Sequence, residues 1–268
     1  MSLPRADIGV FDSGLGGLTV LREIRRQMPG ASVLYLADTA NVPYGDKPIG
    51  VVRELALRLT DHLVEAGAKI VIMASGTSTV AGLEAARASH PHLPLVGTIE
   101  PGAKAAVEAS CDAIGVLATN ATAHSLAFTQ AIQALDPQRR VIEQGCPRFV
   151  PLVESGRAET DDAEDAACEY LAPLRAAGAQ SIILGCTHFP FLLPALHRAI
   201  HRMGDPGFRP TFVDPSEEAV RVAALLFPSS GPSVGPVHFA ASGDPASFRR
   251  HASALLGEPI PPVLPLVL

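Results

Sequence analysis

The sharpest chemical signal in the 268-residue sequence is Gly185-Cys186-Thr187-His188-Phe189-Pro190. A thiol at a strand end, where a helix is expected to begin, gains thiolate character from the helix N-terminus. An imidazole two residues on can exchange a proton with that thiol or with a substrate. The competing reading is an inert buried cysteine, a frequent fate of this residue; the glycine before and the Thr-His pair after favour function. Cys111, Cys146 and Cys168 lack such a context and form no C-x-x-C pair, so they read as structural, reduced thiols.

Three further segments carry reactive types. In Phe11-Asp12-Ser13-Gly14-Leu15-Gly16-Gly17 a dinucleotide fingerprint fails, because Thr19 stands where the third glycine should be. Asp12 and Ser13 then suit an ammonium group or a proton relay, with a plain turn as the alternative. The loop Asn41-Val42-Pro43-Tyr44-Gly45-Asp46-Lys47-Pro48 offers a phenol and backbone N–H groups to a small carboxylate, or is a bare surface turn. Cys146–Gly156 places Glu154 after an apolar, Pro-punctuated run, where a surface carboxylate is the default. His90-Pro91-His92 and the His197/His201 pair lack a third ligand, so no metal site is expected. Lys47, Lys69 and Lys104 show no sign of a cofactor pocket, which argues against a pyridoxal phosphate Schiff base.

The elements that must hold these residues alternate. Short apolar runs such as Ile8–Phe11, Val33–Leu36, Ile70–Ala74, Ala113–Leu117 and Ile182–Leu184 end in small polar residues and are followed by amphipathic stretches. That order predicts an α/β fold with mainly parallel sheets flanked by helices, and ligands at the C-terminal strand ends. An internal repeat aligns Leu63–Ser75 with Leu174–Cys186, and Ile8-Gly9-Val10 recurs as Ile114-Gly115-Val116. Any helix-glycine-strand unit resembles this in part. A true duplication gives two similar domains related by a pseudo-two-fold axis, the active site between them and Ser75 opposite Cys186.

Composition narrows the class. Hydrophobic residues make up 47% of the chain and charged residues 18%, which supports a sizeable core and excludes disorder. No apolar run reaches the roughly 18–20 residues of a membrane span. Met1–Phe11 lacks a basic start followed by an apolar stretch, so a cytoplasmic protein is expected. The net charge of −6, with basic residues scattered, gives no clustered face for nucleic acid or anionic lipid. Pro259–Leu268 reads either as an edge strand or as a docking segment.

Taken together, Ile8–Val20, Ala37–Gly45, Ile99–Gly102, Cys146–Glu154, Gly185–Pro190 and Val213–Glu218 resemble the glutamate racemases of the aspartate/glutamate racemase superfamily, over nearly the whole chain. The resemblance implies two α/β domains, 1–98 plus 211–268 and 99–210, in a homodimer that uses neither cofactor nor metal. It implies one cysteine from each domain flanking the substrate Cα, one thiolate removing the α-proton and the opposing thiol returning one. Cys186 matches the second cysteine, the one serving L-glutamate. Asp12, Glu154 and His188 match the assisting acid/base groups. Ser13, Tyr44, Gly45, Thr77 and Thr187 match substrate contacts, as do Asp12 and His188, with Thr119 and Thr122 as further matches. The product would be D-glutamate for peptidoglycan.

One departure stands out. Where the family has Cys-Asn-Thr, this chain reads Ser75-Gly76-Thr77, so the first catalytic position is Ser75 and the substrate-contacting Asn is Gly76. A serine hydroxyl is far harder to ionise than a thiol of pKa near ~8.5. Losing one of two bases corresponds to a rate loss on the order of 10²–10⁴. The alternatives are a one-thiol superfamily enzyme such as a decarboxylase, using the Gly76–Thr79 hydroxyls to hold a carboxylate, and a glutamate-binding protein without turnover.

Overall fold

The computed structural model describes residues 3–109, 113–228 and 234–268. The chain begins β1 (Ile8–Asp12), α1 (Leu18–Gln27), β2 (Val33–Ala37), α2 (Ile49–Glu65), β3 (Ile70–Met73), α3 (Gly76–Ser89) and β4 (Leu95–Val96). It continues through α4 (Ile99–Ala109), β5 (Ala113–Ala118), α5 (Asn120–Ser125), α6 (Ala127–Leu135) and β6 (Val141–Gly145). Next come α7 (Phe149–Glu154), α8 (Asp161–Ala176), β7 (Ala179–Leu184), α9 (Leu193–Met203) and β8 (Thr211–Val213). It closes with α10 (Pro215–Leu226), β9 (Val237–Ala241), α11 (Pro245–Leu256) and β10 (Val263–Pro265).

The central strands β1, β2, β3 and β5 are near-continuous apolar runs because helices cover both sheet faces, so alternation is not needed. All residues of β1, β2 and β3 are buried. The two faces separate by parity: Val10 and Tyr35 pack with Leu21, Ile24 and Phe239, whereas Phe11 and Leu36 pack with Leu59, Leu63 and Met73. Helix α1 buries Leu18, Val20, Leu21 and Ile24 and leaves Arg22 and Arg26 outside, the stripe expected at helical period.

The chain divides into two compact units, Met1–Thr98 with Ser216–Leu268, and Ile99–Pro215. The first holds a parallel sheet in the order β10-β9-β2-β1-β3-β4, and the second one in the order β6-β5-β7-β8. Residue 211, the expected start of the returning segment, instead opens β8. Thr211, Phe212 and Val213 pair with Ser181, Ile182 and Ile183 of β7, which keeps them in the second unit. The tail is an edge strand, since β10 pairs with β9.

The internal repeat has a physical basis in each unit. In the first, β1 pairs with β3 as Ile8↔Ile70 and Gly9↔Val71. In the second, β5 pairs with β7 as Ile114↔Ser181 and Gly115↔Ile182, the same register in the aligned numbering. A Cβ on Gly9 would lie 2.9 Å from the Leu63 side chain, and one on Gly115 would lie 2.5 Å from Leu174. Each glycine therefore lets the last turn of a helix close directly onto its strand. Both helices then stop at a glycine of positive φ, Gly67 at 82° and Gly178 at 72°, ahead of the strand that leads to Ser75 or Cys186.

Candidate functional site

In the first unit the polar residues gather where β1, β2 and β3 end, and the adjacency of those strands makes them neighbours. Asp12 is fully buried, and its Oδ2 accepts the Gly14 N–H at 2.9 Å. Its Oδ1 has no hydrogen-bond partner among the described residues. A buried carboxylate oxygen without a donor is suited to a cationic N–H ligand, because leaving it unpaired is costly. Tyr35 braces the following loop by donating to the Gly14 carbonyl at 2.9 Å. Burial, then the Asp12 charge, keeps that phenol un-ionised far above its usual range. Ser13 follows Asp12 and is half-buried.

Ser75 sits two residues beyond β3, after an Ala74 N–H that donates to Phe11 O at 3.0 Å. It is the N-cap of α3: its Oγ accepts the Ser78 N–H at 3.4 Å. Ser78 Oγ and Thr79 Oγ1 each donate back to the Ser75 carbonyl at 3.0 Å. Gly76 and Thr77 form the buried first turn of the helix.

Tyr44 and Gly45 lie in a 3-10 turn, Tyr44–Asp46, entered through a cis Val42–Pro43 peptide. The Tyr44 hydroxyl donates to Asp38 Oδ2 at 2.7 Å. Burial first, then the Asp38 charge, push this phenol far above its usual range, so its proton stays on the Asp38 bond.

In the second unit Cys186 occupies the counterpart of the Ser75 position. It stands two residues beyond β7, after a Gly185 N–H that donates to Leu117 O at 2.7 Å. The expected helix does not start at the thiol: a 3-10 turn, Phe189–Leu192, comes first and runs into α9, with His188 as its N-cap. Pro190 within this turn has no N–H for a hydrogen bond to Cys186 or Thr187, which suits a tight start. His188 Nδ1 lies 3.8 Å from Cys186 Sγ, and His188 Nε2 lies 3.3 Å from Glu154 Oε1. The imidazole is 6% exposed and the Glu154 side chain 42%. Thiol, buried imidazole and solvent-touching carboxylate thus form a proton path from Cys186 outward. Thr187 is buried beside them. Thr119 caps α5 by accepting the Thr122 N–H.

The remaining candidates separate from these clusters. Cys146 is buried and its thiol donates to Gln144 O; burial pushes its pKa far up, which makes it unreactive. Cys168 is also raised by burial. Cys111 lies outside the described residues. His90 pairs with Asp61 at 2.7 Å, and His197 stacks edge-on against Phe212. Asp38, a fully buried carboxylate one residue beyond β2, was not singled out from the sequence, because its burial shows only in the fold.

Residues 8–223 match the Asp/Glu/hydantoin racemase family. The chain belongs to that family. A glutamate racemase of Microcystis aeruginosa is 43% identical over 254 residues, which span 93% of this chain and 87% of the relative. The structure of glutamate racemase from Thermus thermophilus, in complex with β-chloro-D-alanine, superposes with a TM-score of 0.84 at 35% identity, covering 99% of this chain and 98% of that one. Glutamate racemase from Francisella tularensis, in complex with D-glutamate, gives a TM-score of 0.87 at 26% identity, with the same coverage. The parallel α/β sheets described above are therefore the racemase fold, and this racemase-family chain carries serine where Cys186 has its counterpart.

Proposed function

We propose that this chain acts on glutamate by cofactor-independent proton transfer at Cα, with Cys186 as the working base and Ser75 as a weakened partner. The observation that carries this is the Cys186–His188–Glu154 path, which gives the thiol a proton acceptor at 3.8 Å and a route onward at 3.3 Å. Cys186 removes the α-proton of the L-isomer, and its proton passes to His188 and Glu154. Asp12, with its unpartnered buried oxygen, receives the substrate ammonium. Ser13, the Tyr44-Gly45 turn, Gly76-Thr77 and Thr187 hold the carboxylates. Ser75 can donate a proton but is a poor base towards Cα–H, so inversion starting from the D-isomer is slow.

The experiment is circular dichroism of D- and L-glutamate, with deuterium incorporation at Cα followed by NMR. The chain as it stands exchanges the α-proton of L-glutamate faster than it inverts it. Ser75→Cys raises inversion by about 10²–10⁴, the usual range for restoring one acid/base group. If neither form exchanges or inverts either isomer, the proposal fails. A decarboxylase is disfavoured, because Ser78 and Thr79 turn their hydroxyls onto the Ser75 carbonyl instead of offering them to a carboxylate. Supply of D-glutamate for peptidoglycan, a homodimer and a cytoplasmic setting follow the same family reading. Sedimentation analysis tests the dimer. Among the described residues no helix is long and apolar enough to cross a membrane.

A further inference from the structure

Among the described residues, Asp38 accepts three side-chain hydrogen bonds, and the donors come from two distant parts of the chain. Its Oδ2 takes the Tyr44 hydroxyl at 2.7 Å, and its Oδ1 takes Asn41 Nδ2 at 2.9 Å and Ser242 Oγ at 2.5 Å. Ser242 follows β9, which lies beside β2 in the sheet. Its Oγ also accepts the Ala40 N–H at 3.0 Å, while the Gly243 N–H donates to Thr39 Oγ1 at 3.0 Å. The segment 39–46 is thus tied at its start to the C-terminal part of the chain and at Tyr44 to Asp38. A fully buried carboxylate that takes this many donors is held rigidly and holds them in turn.

From this we infer that Asp38 is the positioning residue of the Tyr44-Gly45 ligand turn, and that Ser242 is the clamp that fixes Asp38. The inference rests on the glutamate reading of that turn. It has a chemical corollary: with its proton held by Asp38, Tyr44 presents only oxygen lone pairs to a ligand. A carboxylate near the turn must then be met by backbone N–H groups, and the phenol oxygen is available to an ammonium.

The test uses the full chain and its Ser242→Ala, Tyr44→Phe and double variants. Glutamate binding is measured by calorimetry, and loop order by amide exchange across residues 39–47. Ser242→Ala weakens glutamate binding about three- to tenfold, the range for one ordinary hydrogen bond, because its loss reaches the ligand only through the turn. It speeds amide exchange in the 39–47 segment by a similar factor and changes the Cα exchange rate at saturating glutamate less than twofold. The double variant binds no more weakly than the poorer single variant, because both bonds act through Asp38. Parent-like binding by Ser242→Ala, or losses that simply multiply in the double variant, overturns the inference. A parent that binds no glutamate overturns the functional reading instead. The amide-exchange measurement still decides whether Asp38 and Ser242 order the turn.

Discussion

At the scale of single residues, Ser75 stands where the resemblance places the first catalytic cysteine, and the proposed chemistry turns on that oxygen in place of a sulfur. Ser75 gains as a helix cap what it lacks as a base, since its Oγ accepts a backbone N–H that opens α3. Restoring sulfur should therefore separate stability from activity. Ser75→Cys is expected to lower stability by about 0.5–1 kcal/mol, a thiol being a weak acceptor at an N-cap, even as inversion rises. Thermal unfolding checks this as a Tm lower by roughly 1–3 °C. His188 carries the second residue-scale prediction. With Nδ1 3.8 Å from the thiol, His188→Asn removes the group proposed to take the Cys186 proton. Alkylation of Cys186 by iodoacetamide at pH 7 is expected to slow several-fold; an unchanged rate would remove His188 from the proton path. Cys186 and His188 were legible in the sequence because both sit in one short turn. The Glu154 contact was not, because 34 residues separate it from His188 and only the packing of α7 brings them together. Asp38 was illegible for a similar reason: one of its partners, Ser242, is 204 residues away.

At the scale of elements, the repeat of Leu63–Ser75 in Leu174–Cys186 is a repeated packing solution. A leucine at the end of a helix lies over a strand glycine, and the neighbouring strand keeps one register in both units. The closer approach in the second unit, 2.5 Å against 2.9 Å, orders two substitutions. Gly115→Ala is expected to destabilise more than Gly9→Ala, each by about 1–3 kcal/mol from overpacking. Denaturant unfolding of Gly115→Ala alone and with Leu174→Ala measures the cause, since trimming the leucine relieves the clash and the two losses fall short of additive. The alternation of strands and helices along the chain was readable because parallel α/β units leave long apolar runs. The 3-10 turn after Cys186 was not, because Phe189-Pro190 reads as an ordinary helix start and its tighter winding depends on how the turn meets α9.

At the scale of the whole molecule, the first unit is assembled from two separated segments of chain. Residues 216–268 supply β9 and β10, and β9 covers the edge of β2 from Val33 to Ala37. A chain ending at residue 215 would leave that apolar strand with an unpaired edge, a template for association. Such a truncation is expected to aggregate and to lose the cooperative transition of the full chain, as followed by size exclusion and circular dichroism. Retention of a monodisperse, cooperatively folding 1–215 chain would show that the returning segment is dispensable to the first unit. The sequence resemblance implied this return but placed it at 211, because the three residues of β8 are too few to show by pattern that they belong to the other sheet.

The buried hydroxyls of Tyr35 and Tyr44 also give the protein an optical property. The chain has no tryptophan and three tyrosines, so the longest-wavelength near-ultraviolet absorbance comes from phenols, beyond the reach of its ten phenylalanines. Two of the three belong to the first unit and are held un-ionised there by burial, far above the usual phenol range. A phenol whose folded pKa is raised stabilises the native state less and less as pH climbs past the unfolded value near ~10, because the unfolded form ionises first. In an alkaline titration these two phenols should redden only when their unit opens. The part of the phenolate band contributed by Tyr35 and Tyr44, as distinct from that of Tyr170 in the second unit, then becomes a built-in, label-free reporter of that half of the molecule.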